Sequence, residues 1–124
     1  MKIVDANIIL RYLLEDHEEH LREAENIIEN NDILIFNEVI AEVIYVLEKL
    51  YKVNRVNIMQ GLVDFFSNRS VELEKEEVVK KALKLFSEKK LDFVDCLLYA
   101  YSFEAGYEIA TFDKKLLKAI ANSK

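Results

Sequence analysis

Apolar and polar positions along this chain alternate between two periods. Lys2 to Asp5 is a brief apolar run closed by an acid, which predicts a short strand. Ala6 to Leu14 then places Ile8, Ile9, Tyr12 and Leu13 at helical spacing, with one buried side. An acidic run from Glu15 to Glu19 surrounds His17, after which Leu21, Ala24, Ile27 and Ile28 resume the helical period. Asn30, Asn31 and Asp32 punctuate the chain. Ile33 to Phe36 is continuously apolar, as a strand buried on both faces requires. Asn37 is placed to cap a helix running to about Lys52, with Val39, Ile40, Val43, Leu47 and Leu50 on its apolar stripe. A further helix is predicted from Arg55 to Phe66, a short strand over Val71 to Leu73, and a helix from Val78 to Phe86. Leu91 to Glu104 reads as the next helix, with Gly106 positioned to end it. Tyr107 to Thr111 is predicted as a strand, and Leu116 to Ile120 as the start of a terminal helix.

Such alternation predicts the α/β class: an α/β/α sandwich with a central parallel sheet. The chain has 124 residues, no proline and only two glycines, so a single domain over residues 1–124 is expected, without a linker. Hydrophobic residues make up 52% and charged residues 32%, which is globular rather than disordered. A net charge of −6 argues against nucleic-acid binding by bulk charge alone, but not against a contact bridged by a cation. The lone Cys96 permits no internal disulfide and follows helical core spacing, so it reads as a small buried hydrophobe in a reducing, cytoplasmic setting. No basic-then-apolar leader is recognisable and no membrane span is expected.

Candidate chemistry lies in the carboxylates. Asp5 ends the first strand, Glu42 sits between Ile40 and Val43 on a helix, Asp92 and Asp95 stand three apart at a helix start, and Asp113 follows the last predicted strand. In open parallel sheets, sites form beyond the carboxyl ends of the strands. Asp92 and Asp95 share a helix face, near the end of the helix dipole that favours ionised carboxylates. Carboxylates brought together repel one another and raise each other's pKa values, and a divalent cation relieves that conflict. An all-oxygen donor set suits Mg²⁺ or Mn²⁺.

Each acid taken alone also has a plain structural role. Asp5, Asp92 and Asp113 suit helix caps or turns, and Glu42 suits a pairing with lysine. The joint order of strand-end Asp, helix Glu, helix-start Asp pair and strand-end Asp favours the metal reading. His17 and His20 sit on what reads as a solvated acidic helix face. Phe93, Tyr99, Tyr101, Phe103 and Tyr107 read as core and interface aromatics. Met59, Leu62, Val63, Phe65 and Phe66 read as core, with a dimer patch as the alternative. No phosphate-cradling glycine loop, nucleophile elbow or zinc spacing occurs.

Four segments carry a family resemblance: Ile3-Val4-Asp5-Ala6-Asn7-Ile8-Ile9-Leu10-Arg11-Tyr12-Leu13, Val39-Ile40-Ala41-Glu42-Val43, Leu91-Asp92-Phe93-Val94-Asp95-Cys96-Leu97-Leu98, and Thr111-Phe112-Asp113-Lys114-Lys115-Leu116. In order and spacing the chain resembles the PIN-domain proteins, and among them the VapC-type toxin ribonucleases of toxin–antitoxin pairs. The resemblance implies a PIN-like nuclease domain in which Asp5, Glu42, Asp95 and Asp113 form the acidic quartet and Asp92 is an accessory acid. It places Asn7, Arg11 and Thr111 near the substrate. It implies an RNA substrate, a small antitoxin partner and a homodimer. Where the family often carries Ser or Thr at the start of the Glu-bearing helix, this chain has Asn37 and Glu38.

The expected chemistry is hydrolysis of a phosphodiester at Mg²⁺ or Mn²⁺ held by Asp5 and Asp95, with Asp92 or Asp113 assisting through water. Glu42 would orient the attacking water or a second metal, and Arg11, Lys114 and Lys115 would contact phosphate. Several other functions stay open. A receiver-like signalling domain also gathers acids at strand ends, but the helix-rich stretch from Asn37 to Phe66 departs from its strict alternation. A housekeeping RNA-processing nuclease would lack a small partner, and a silent interaction module would lack activity despite intact acids.

Overall fold

The computed structural model describes residues 1–15 and 18–123 of the chain. It divides into two compact units, Met1–Glu74 and Lys75–Lys124.

The first unit is built on a small parallel sheet. Strands β1 (Lys2–Ile3), β2 (Ile33–Ile35) and β3 (Val71–Leu73) lie in that order, with Ile3 opposite Leu34 and Ile35 opposite Leu73. All pairings are parallel, so each crossover carries helices: α1 (Ala6–Leu14) and α2 (Glu18–Glu29) between β1 and β2, then α3 (Asn37–Tyr45) and α4 (Arg55–Phe66) between β2 and β3. The expected α/β class with a parallel sheet is observed. Ile33 and Ile35 are fully buried, which explains why this strand reads as unbroken apolar sequence. Ile28 from α2, and Ile40, Val43 and Ile44 from α3, close the core. The buried side of α1 is set by Ala6, Ile9 and Leu10, while Ile8, Tyr12 and Leu13 are only half-buried. The apolar stripe is thus rotated from the expected one.

Two details in this unit depart from the sequence reading. Asn37 is not the cap of α3; Phe36 holds that position in extended geometry, and Asn37 lies buried as the first helical residue. The long helix expected to reach Lys52 changes pitch after Tyr45, and Val46–Leu50 forms a π-helical turn. Tyr51 N donates to Val46 O at 3.2 Å, and Val53 N to Leu47 O at 3.0 Å. A Glu48–Arg55 ion pair at 2.7 Å, about four-fifths buried on each side, ties that turn to the start of α4. A single wide turn of this kind inside a helix is too short to leave a period of its own in the apolar spacing.

The second unit consists of helices α5 (Glu76–Glu88), α6 (Phe93–Glu104) and α7 (Lys114–Asn122). Helix α6 packs along α5 and also meets α7. Phe86 and Phe93 meet edge to face with ring centroids 5.9 Å apart, and Val79, Ala82, Leu83, Cys96, Ala100 and Leu116 are buried with them. Cys96 is wholly buried, as its spacing predicted. Gly106, at φ 72°, takes the left-handed turn past the end of α6 that favours glycine.

The strand predicted over Tyr107–Thr111 is not formed; these residues run without regular structure and are mostly exposed. Alternation of Tyr, Ile and Thr gives strand propensity, but a strand needs a partner edge, and the described elements of this unit are all helices. Asp113 therefore follows an irregular segment rather than a strand end. No helix of the described residues is long and apolar enough to cross a membrane.

Candidate active site

The predicted acids fall into both units. Asp5 lies two residues past β1, and α3 begins two residues past β2. The strands are parallel and in register, so both connections leave the sheet from its carboxyl edge. Asp5 caps α1: its Oδ1 accepts a hydrogen bond from Ile8 N at 3.1 Å. The plain structural role is therefore real, yet one oxygen suffices for it and a carboxylate has a second. Asp5 also lines a concave surface of about 480 Å³, with Lys2, Ile3, Val4, Ile8, Ile27 and Val39. Glu42 projects from the middle of α3 and is exposed.

Asn7 is exposed in the first turn of α1. Arg11, one turn further on, is half-buried, and its Nη2 donates to the Tyr51 hydroxyl at 3.3 Å. That contact aims the guanidinium toward the end of the π-helical turn.

In the second unit, three acids act on one another. Asp92 holds the cap position of α6 in extended geometry, yet its side chain makes no capping hydrogen bond. Asp95 follows three residues later in the first turn. Asp113 caps α7, accepting from Lys115 N at 2.9 Å and Leu116 N at 3.1 Å through Oδ1. Asp113 N in turn donates to Thr111 Oγ1 at 3.0 Å, which fixes the entry to the helix. The Asp95 carboxyl is held above the ordinary carboxylate range by partial burial first, then by the charges of Asp113 and Asp92, and by a hydrogen bond to Asp113. The Asp92–Asp95 spacing predicted a shared face; the approach of Asp113 is a long-range contact that spacing did not contain.

Among the described residues, no group of three or more His, Cys, Asp or Glu stands ready-made around a metal position. Fitness for a cation rests instead on the donors themselves. Asp95, Asp113 and Asp92 are oxygen donors of like charge, and Asp95 is raised by partial burial first and by the charges of the other two after it. That is the environment a hard divalent cation stabilises. His17 lies outside the described residues, and His20 is exposed on α2. Asn37, buried where the Glu-bearing helix leaves the carboxyl edge of the sheet, is a polar residue near the candidate site that sequence reasoning assigned to capping. Its signal was a polar side chain directly after an apolar strand.

A family model described as PIN domain matches residues 2–122. A "VapC ribonuclease" from Aquifex aeolicus (strain VF5) is 27% identical over 124 residues, covering 95% of this chain and 91% of the relative. No solved structure matches the chain.

Proposed function

Because the chain belongs to the PIN-domain family, with the α/β/α fold class that this entails, we propose that it is a divalent-metal-dependent endoribonuclease and the toxin of a toxin–antitoxin pair. The observation that carries the reading is the carboxylate cluster of Asp92, Asp95 and Asp113, in which Asp95 is raised by partial burial and then by its acidic neighbours. The relative's name supplies the ribonuclease activity, and the toxin class rests on the VapC-type resemblance of the four acid-bearing segments.

In this reading residues 1–124 act as one nuclease domain. Asp5, Asp95 and Asp113, assisted by Asp92, would hold Mg²⁺ or Mn²⁺, and Glu42 would orient the attacking water or a second metal. The bound cation would neutralise charge on the scissile phosphate and acidify its water. Asn7, Arg11 and Thr111 contact the substrate, Thr111 while also holding Asp113 N. The helix-capping hydrogen bonds of Asp5 and Asp113 fix those carboxylates before substrate arrives, which is the preorganisation catalysis needs.

The reading includes a homodimer and a small antitoxin. Tyr45, Leu50 and Val63 in the first unit are large apolar side chains between 48% and 69% exposed, which suits a buried interface. Light scattering returning a mass of 14.5 kDa at micromolar concentration would contradict the dimer. The activity is tested by incubating the protein with end-labelled RNA in Mn²⁺, Mg²⁺ or EDTA. Cleavage in either cation that stops in EDTA, leaving 5′-phosphate ends, is expected. Intact RNA in both cations, or cleavage that persists in EDTA, overturns the reading.

A further inference from the structure

We propose that a lysine-lined groove between α5, the α5–α6 connection and α7 is the track along which the RNA backbone approaches the carboxylate cluster of the second unit. The naming of RNA rests on the nuclease reading above; the groove itself is a feature of this chain.

Charge is unevenly distributed. Residues 1–74 carry seven cationic and fifteen acidic side chains, a net of −8, whereas residues 75–124 carry ten lysines and eight acids, a net of +2. The lysines are concentrated further within that unit. A groove of about 400 Å³ is lined by Lys81, Lys84 and Lys89, and a second of about 210 Å³ by Lys89, Lys90, Lys115 and Lys118. Both grooves share Lys89, Ala119 and Asn122, so they are continuous. Glu88 lines the first as a lone acid.

Much of this charge is left over from the fold. Lys81 is engaged by Glu104 at 3.8 Å and lies over the Phe103 ring at 3.9 Å. Among the described residues, the ammonium groups of Lys84, Lys90, Lys115 and Lys118 form no ion pair, and all four side chains are exposed. Clustering like charges without partners costs energy that a polyanion recovers.

The position of the groove gives it a purpose. Lys90 stands two residues before Asp92, and Lys115 two residues after Asp113. The basic track therefore ends at the two chain segments that carry the carboxylates. An RNA strand is repelled by three acids and needs cationic anchors beside them. A row of lysines supplies anchors without base selectivity, because an ammonium meets phosphate as a point charge. This enlarges the phosphate-contact set beyond Lys114 and Lys115 to Lys84, Lys89, Lys90 and Lys118.

The test uses a fluorescein-labelled, fully 2′-O-methylated twelve-nucleotide RNA, which cannot be cut through its 2′-hydroxyls, titrated in EDTA against the full chain. Lys90→Gln/Lys118→Gln is compared with wild type and with the control Lys52→Gln/Lys80→Gln, each checked by circular dichroism. The groove variant should bind on the order of tenfold more weakly at 0.1 M salt, and its salt slope should fall by about 1.4, or about 0.7 per lost phosphate contact. The control should match wild type. Equal affinity and slope for the groove variant overturns the track. So does equal loss in the control, which would mean bulk charge alone. A groove variant that keeps RNA affinity but loses binding to an acidic peptide assigns the groove to a protein instead and also overturns it. Failure of the nuclease reading is distinguishable: wild type would then cut no RNA in Mn²⁺, whether or not the lysines bind it.

Discussion

Asp113 approaches Asp95 of α6 closely enough for its charge to add to the partial burial that raises the Asp95 carboxyl, while Asp113 itself caps α7 through the backbone N–H groups of Lys115 and Leu116. One carboxylate thus caps a helix while facing an acid of another. Partial burial first, and then the charges of Asp113 and Asp92, make Asp95 hold its proton more tightly than an ordinary carboxyl does. The arrangement sets stability against the proposed function: the crowding of acids that would suit a cation makes the metal-free protein less stable.

Replacing Asp95 should therefore separate the two. Asp95→Asn is expected to lower Mn²⁺-dependent RNA cleavage by at least about 100-fold, the scale of losing one preorganised electrostatic group. In EDTA at neutral pH its melting temperature should equal or exceed that of wild type. A lower melting temperature in EDTA would show that the Asp95 charge is structurally favourable, contrary to its raised pKa.

The same pair sets a pH dependence. The folded state holds the Asp95 proton above the ordinary carboxylate value of 3.8. Its contribution to stability is therefore fully present below that value and is lost as pH rises through the elevated one. Asn imitates the protonated acid. In EDTA, Asp95→Asn and wild type should melt alike near pH 3.5, and the variant should gain relative to wild type by pH 7. A gap that stays constant across that range would refute the coupling.

Asp5 tests whether capping and chemistry reside in one side chain. Asp5→Asn retains an oxygen that accepts from Ile8 N, whereas Asp5→Ala does not. Both should lose metal-dependent cleavage, but only the alanine variant should lose about 1 kcal/mol of stability in urea melts. Equal stabilities would show that the 3.1 Å bond is not a working cap.

How much of this was legible in the sequence depends on the range of the interaction. Helices α1, α2 and α4 to α7, the three strands, Gly106 as a helix stop and Cys96 as core all follow from local period and composition, and all are present. Asp92 and Asp95 could be placed on one face because three residues is a helical step. The failures lie where a partner decides. Tyr107–Thr111 has strand composition but no edge to pair with inside its own unit. Asn37 has cap composition but is displaced by Phe36, whose backbone takes the extended geometry. The π-turn at Val46–Leu50 is accompanied by the Glu48–Arg55 pair and the Tyr51 and Val53 backbone bonds, which lie outside any apolar pattern.

Control by a partner gives the remaining prediction. A toxin must be silenced, and a carboxylate cluster attracts Arg or Lys; a guanidinium can bind such oxygens bidentately. An arginine of the antitoxin seated on Asp95 and Asp113 would occupy the oxygens proposed for Mn²⁺. Antitoxin and cation should then oppose each other, and by linkage each lowers the other's affinity by the same factor. Calorimetric titration of antitoxin into the protein should give weaker binding at saturating Mn²⁺ than in EDTA, typically by five-fold or more for couplings of about 1 kcal/mol and above. With Asp95→Asn, which removes one of the proposed metal ligands, the Mn²⁺ dependence should shrink toward nothing. Equal antitoxin affinity for wild type with and without Mn²⁺ would show that inhibition does not act through these carboxylates.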